Sequence, residues 1–166
     1  MENIIVSLFC VGLILVTGMT LSMNSLHSID MLTDTWKKEQ SQSEYIRGTS
    51  IKYISSITQN NGSLVETMIM NDGNKTLAHF LKWDVIVWYQ DGYVQWIPYT
   101  TSTPGWNISG IYLNGNPEIY EKNILNPGET LKLIIRLSPP VAKNTINYAT
   151  VSSDNGAGTQ CTFGWK

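Results

Sequence analysis

Residues 4–16 read Ile-Ile-Val-Ser-Leu-Phe-Cys-Val-Gly-Leu-Ile-Leu-Val, the centre of an uncharged apolar stretch from Asn3 to Leu26. Polar, strand-rich sequence follows almost without a gap. At about 1.5 Å per residue the stretch makes a helix of roughly 36 Å, enough to cross the ~30 Å apolar slab of a bilayer. It is too apolar for a surface helix. A cleaved secretory signal would need a basic start and a small-residue cleavage site, whereas the only charge before the run is Glu2 and the first base is Lys37. A plain membrane anchor would carry flanking bases on its cytoplasmic side, and the N-terminal flank has none. The third reading is a helix that packs against copies of itself. Its assembly surface is then expected at Ile4, Ile5, Leu8, Phe9, Gly12, Leu13, Leu15, Val16, Met19 and Met23.

The helical pattern continues past the length a bilayer requires. Met19, Met23, Leu26, Ile29, Leu32 or Thr33, and Trp36 recur at three- and four-residue steps, with Asn24, His27, Asp30, Asp34 and Lys38 on other faces. Neither Pro nor Gly interrupts residues 19–47. One helix from about Glu2 to about Tyr45 would be roughly 65 Å long, beyond the needs of a membrane, so something other than lipid must cover its second half. Gly12, Gly18 and Ser22 are small residues that let helices approach closely. The expected organisation is a helix over residues 1–46 and an outer domain over residues 47–166.

The chain has 166 residues and a formal charge of -2. The first 36 residues hold Glu2, Asp30 and Asp34 and no base, so they carry the negative charge, while the rest is nearly balanced. Nothing in this distribution suits nucleic acid. Cys10 and Cys161 are too far apart in sequence and setting to suggest a disulfide framework. Three glycosylation sequons, at Asn61, Asn74 and Asn107, are expected in turns of the outer domain.

Residues 47–166 read as strands near Ile51–Thr58, Leu64–Met70, Val85–Tyr89, Tyr93–Pro98, Thr130–Leu137, Ile146–Ser152 and Gln160–Trp165, each rich in β-branched and aromatic residues and bounded by Gly, Asn, Asp or Pro. Asp91-Gly92 predicts a two-residue hairpin pairing Tyr89 with Val94, Val87 with Trp96 and Ile86 with Ile97. Leu131, Leu133, Ile135 and Leu137 alternate with Lys132 and Arg136, which predicts a sheet with one buried side. The predicted fold class is α+β, a long hydrophobic helix followed by an immunoglobulin-like antiparallel sandwich without the Cys-Trp-Cys pattern of antibody domains.

Three short segments carry a resemblance: Met68-Ile-Met-Asn-Asp-Gly-Asn-Lys-Thr-Leu77, Leu125-Asn-Pro-Gly-Glu-Thr-Leu131 and Asp154-Asn-Gly156. With the long apolar helix before them, they resemble the archaeal type IV pilin-like proteins, namely the archaellins and the archaellar stator proteins. The resemblance implies a structural subunit of an extracellular helical filament for motility or adhesion. Such a subunit sits in the cytoplasmic membrane before assembly and then self-associates through its helix into a homopolymer. It equally implies an alternative, a membrane-anchored stator-like protein that grips the surface-layer protein through its sandwich. Family precursors carry a basic leader cut after glycine, which this sequence does not display. Bacterial type IV pilins have a glutamate at the fifth mature position, for which Glu2 is the nearest counterpart here.

Enzyme chemistry finds little footing. His27 and His79 have no Cys or His neighbour at metal-ligand spacing, and no phosphate-cradling loop or nucleophile elbow is present. Asp72 and Asp154 fit turn chemistry better than calcium ligation, so no cofactor and no metal is expected. The sharpest local feature is aromatic. Trp83, Trp88, Tyr89, Tyr93, Trp96, Tyr99, Trp106 and Tyr112 crowd one third of the outer domain. Core packing and surface contact weigh about equally for the set, with Trp83, Trp88, Trp96 and Trp106 as the interface candidates. A third functional reading, an adhesin that stacks sugars on these rings, follows from the same cluster.

Overall fold

The computed structural model describes residues 2–166, apart from the side chains of Glu2, Asn3, Ile5, Asn24 and Leu26. The roles expected of Glu2 and of the Ile5 side chain therefore lie outside the described residues. Helix α1 spans Glu2–Arg47, 46 residues. Nine strands follow: β1 Ile51–Gln59, β2 Leu64–Asn71, β3 Asp84–Trp88, β4 Val94–Ile97, β5 Gly105–Leu113, β6 Asn116–Pro117, β7 Thr130–Arg136, β8 Thr145–Ser152 and β9 Gly158–Trp165. They form two antiparallel sheets, ordered β1-β2-β7-β5-β6 and β4-β3-β8-β9. The fold is thus the helix-plus-sandwich class read from the sequence. Two compact units result, α1 through Glu44 and the sandwich unit Tyr45–Lys166.

Alternation builds the core of the sandwich unit. β7 buries Leu131, Leu133 and Ile135 while Lys132, Ile134 and Arg136 lie at intermediate depth on the other face. Val65 and Ile69 of β2, Val85 and Val87 of β3, Ile97, Ala149, Val151 and Cys161 join them with essentially no exposure. Each such aliphatic side chain contributes about 1.5–3 kcal/mol on leaving water.

Two expectations need correction. β5 was not among the strands read from the sequence, yet it pairs with both β7 and β6. Its register shifts between Ile108 and Gly110, leaving Ser109 as the extra residue of a bulge. The bulge puts Trp106 and Ile111 both on the buried side, five residues apart, and so destroys the period of two. Gly105 opens this strand and is buried. The β3–β4 hairpin also differs by one residue. Trp88 faces Val94, Ile86 faces Trp96 and Val85 faces Ile97. The Tyr89 N–H donates to Tyr93 O at 2.8 Å and the Gly92 N–H to Tyr89 O at 3.0 Å, so the loop has three residues and Gly92 alone, at φ 92°, takes the left-handed position. A type I turn closed by a left-handed residue replaces the expected mirror-image turn.

Tyr89 is buried, and its hydroxyl donates to Pro139 O at 2.9 Å. Burial, followed by Tyr93 and Asp91 nearby, pushes the phenol from 10.0 up to about 12. The unfolded chain therefore ionises this phenol before the folded chain does. Stability supplied here is complete below pH 10 and drains away as pH rises towards 12. Urea titrations across that window should show Tyr89→Phe losing less stability with pH than the parent. Parallel slopes would remove Tyr89 as the source.

The chain's exit from α1 is built by the three turn segments singled out above. Asn71, fully buried at the end of β2, holds five hydrogen bonds. Its N–H donates to Glu129 O at 3.0 Å, and its carbonyl accepts from Gly128 N at 2.8 Å. Its Nδ2 donates to Lys75 O at 2.8 Å and Leu125 O at 2.9 Å, and its Oδ1 accepts from Gly73 N at 3.1 Å. The turn so fixed reaches the chain leaving the helix. Asn74 N donates to Gly48 O at 2.8 Å and Asp72 N to Ser50 O at 3.0 Å. Gly73 is required by this closeness, since a Cβ there would lie 2.5 Å from Gly48 O and 2.6 Å from Ser50 N. On the other side Asn155 Nδ2 donates to Thr49 Oγ1 at 3.1 Å, and the Tyr45 hydroxyl donates to Thr76 O at 3.2 Å.

Candidate assembly surfaces

Along α1 the described apolar side chains from Ile4 to Trp36 are exposed, including the consecutive Leu13, Ile14, Leu15 and Val16. Four successive residues point around most of the circumference of a helix, so at residues 13–16 the helix has no polar face. Of the expected assembly residues, Ile4, Leu8, Phe9, Leu13, Leu15, Val16, Met19 and Met23 all stand open. Gly12 lies in a shallow apolar depression bordered by Leu8, Phe9, Leu13 and Val16. A Cβ at Gly12 or Gly18 would meet no atom within 4 Å.

Three hydroxyls in this segment are satisfied within it. Ser7 donates to Ile4 O at 2.9 Å, Thr17 to Leu13 O at 2.8 Å and Thr20 to Val16 O at 3.1 Å. These three hydroxyls would carry no unmet hydrogen bond out of water. By length and composition the helix can cross a membrane.

The aromatic candidates divide by depth. Trp83 and Trp106 are core residues and leave the list of interface candidates. Trp83 donates its indole N–H to Ala78 O at 3.0 Å and meets Phe80 edge-on at 5.0 Å, and Trp106 packs edge-on to Tyr99 at 4.7 Å. Trp88 and Trp96 stand 45% and 58% exposed on the outer face of the β4-β3-β8-β9 sheet. Beside them on that face lie Ile146 and Tyr148, which sequence reading had not grouped with them because they come from β8. A cleft of about 420 Å³ opens at the end of this sheet, bordered by Ser56, Ile146, Thr162, Phe163, Gly164 and Trp165.

Among the sequons, Asn61 and Asn74 are exposed in turns. Asn107 corrects the expectation, for it lies inside β5. Its Nδ2 donates to Ile108 O, and its Oδ1 accepts from the Arg136 guanidinium. Such an amide is committed to its strand. Among the described residues no group of three or more His, Cys, Asp or Glu is arranged to hold a metal ion. Cys161 is buried, and desolvation pushes its thiol up to about 12. In a Cys10→Ser background, a thiol reagent at pH 8 should leave the native chain unlabelled and modify Cys161 only after denaturation. Prompt native labelling would mean that the sandwich opens readily.

No protein-family model and no curated protein matches this chain. Solved structures do. The archaellum periplasmic stator protein FlaG from Sulfolobus acidocaldarius superposes with TM-score 0.56 at 22% identity, covering 69% of this chain and 99% of that one. The complex of FlaF and FlaG from the same organism gives 0.56 and 22%, covering 69% and 89%. The archaeal flagellum of Methanospirillum hungatei strain JF1 gives TM-score 0.66 at 14% identity, covering 92% of this chain and 87% of that one. The chain has the archaellar fold.

Proposed function

We propose that this chain is the structural subunit of an extracellular helical filament of the archaellin or type IV pilin-like class, serving motility or adhesion and polymerising through residues 1–46. The observation that carries this reading is the apolar, exposed first half of α1, in a helix that leads into β1 with only three residues between helix and strand. In the cytoplasmic membrane, before assembly, lipid would satisfy that surface. On extraction the helix exchanges lipid for identical helices, an exchange that costs little when apolar faces interlock and small residues such as Gly12 allow close approach. Residues 47–166 then form the outer wall, where repeated heterologous contacts give an open polymer. The flagellum comparison, which spans helix and sandwich together over 92% of this chain, supports the same reading.

A second reading rests on the stator comparisons, whose identity of 22% exceeds the 14% of the flagellum. In it the helix stays in the membrane and the sandwich grips the surface layer. Cryo-electron microscopy of sheared cell-surface material separates the two. A helical polymer of this chain with residues 4–23 bundled at its axis is the expected result. Recovery of the chain in the membrane fraction alone, with no filament containing it, would replace the subunit reading by the stator-like one.

A further inference from the structure

The outer face of the β4-β3-β8-β9 sheet is fully specified by its register. One row across the strands reads Trp96, Ile86, Thr150, Gln160, and the next reads Val94, Trp88, Tyr148, Thr162. Asp84, Ser152 and Gly158 continue the face at one end, Ile146 and Gly164 at the other. The aromatic rings sit on adjacent strands, Trp88 beside Tyr148 at one strand spacing of about 4.8 Å and Trp96 diagonal to Trp88 at about 7–8 Å. Trp96 is held in place, its indole N–H donating to Asp84 Oδ1 at 2.9 Å. The β9 side of the same face carries only Gln, Thr and Gly.

We propose that this face is a binding platform for an uncharged polysaccharide. Two features of its chemistry select that occupant. No outward residue of the four strands is Lys or Arg, and the single carboxylate, Asp84, is already engaged by Trp96, so the face offers nothing to an anionic ligand and little to a cation. It also pairs an aromatic half with a half of small hydroxyls and an amide, which suits a ligand that is apolar on its ring faces and polar at its edges. Sugar rings meet that description: their C–H faces stack on Trp88, Trp96 and Tyr148, while their hydroxyls reach Asp84, Thr150, Gln160 and the Tyr148 hydroxyl. A second copy fits less well. Placing this face against itself is an isologous contact, which closes a pair instead of extending a polymer, and it would bury the Asp84 carboxylate in both partners. The inference stands on the sandwich and does not depend on whether the helix polymerises.

The full-length chain in detergent micelles would be tested for retention on insoluble amylose, mannan, galactan and chitin, with tryptophan fluorescence following soluble oligosaccharides of each. Retention on at least one matrix is expected, persisting into the molar range of salt because the uncharged ligand forms no ion pair. Trp88→Ala and Trp96→Ala should each weaken it by about tenfold with an unchanged thermal midpoint, because both side chains are exposed. Ser63→Ala, on the other sheet's side of the domain, should retain parental binding. Absence of retention on all four matrices overturns the proposal. So does retention that salt abolishes, or retention that the Trp variants leave intact. A parent chain that binds none of the sugars, with Trp variants that assemble poorly, would mark the face as a subunit contact and leave the filament reading untouched.

Discussion

Leu13→Asp or Leu15→Asp is expected to remove filaments from sheared cell-surface material completely. A carboxylate at the centre of an apolar helix costs about 2.5–3.5 kcal/mol even against lipid. In a bundle of identical helices that cost recurs in every subunit, and each added charge faces the same charge on its neighbours. Both positions are exposed and belong to the helical unit, and neither is part of the buried core of residues 45–166, so folding of that unit is not at stake. The detergent-solubilised variant should keep the thermal midpoint and near-ultraviolet dichroism of the parent. Filaments of normal abundance from either variant would show that α1 is not the polymer core. Leu15→Ile, which keeps volume and apolarity, should polymerise.

Asn71→Ala is expected to be the most damaging single polar change in the sandwich. It strips a partner from Gly73 N–H and Lys75 O at a part-buried site and from Leu125 O, which keeps only the Leu77 N–H, and it empties the fully buried place of the Asn71 side chain. Buried groups left unmet cost about 1–3 kcal/mol each, and partial relaxation brings the sum to about 3 kcal/mol, a large share of a total of about 5–15. The thermal midpoint should fall by roughly 10 °C. Asn123→Ala, on an exposed loop, should change it little. A loss at Asn71 no larger than at Asn123 would show that the joint is held by its backbone bonds alone.

The parts of this fold legible in the sequence are those where one physical signal acts undisturbed. The helix announced itself because nothing but apolar residues fills positions 4–16, and β7 because Leu131, Leu133 and Ile135 alternate with polar neighbours over an unbroken strand. β5 did not, because the bulge at Ser109 breaks its period and two glycines, an asparagine and a serine depress its strand propensity. The hairpin was placed one residue off because Asp91-Gly92 suits a two-residue loop, whereas the backbone spends Gln90 as well. Such a slip moves a side chain to the opposite face, so the aromatic platform could not be assembled before the register was known. Its third strand, β8, lies some fifty residues beyond β4, and no local pattern links Tyr148 to Trp88. Asn71 looked like an ordinary turn residue. Its burial follows from three turns converging, which is a property of the whole domain.

The joint between α1 and β1 also has a mechanical reading. A tension applied to the chain at Arg47 does not reach β1 directly. It first loads the bonds of Gly48, Thr49 and Ser50 to Asn74, Asn155 and Asp72, which act in parallel and are themselves tied through Asn71 to the segment entering β7. Force is thereby shared between β2, the middle of its sheet and the last hairpin before an edge strand can peel. A pull arriving at Arg47 would thus be borne by several strands of the sandwich unit at once, and not by its first strand alone.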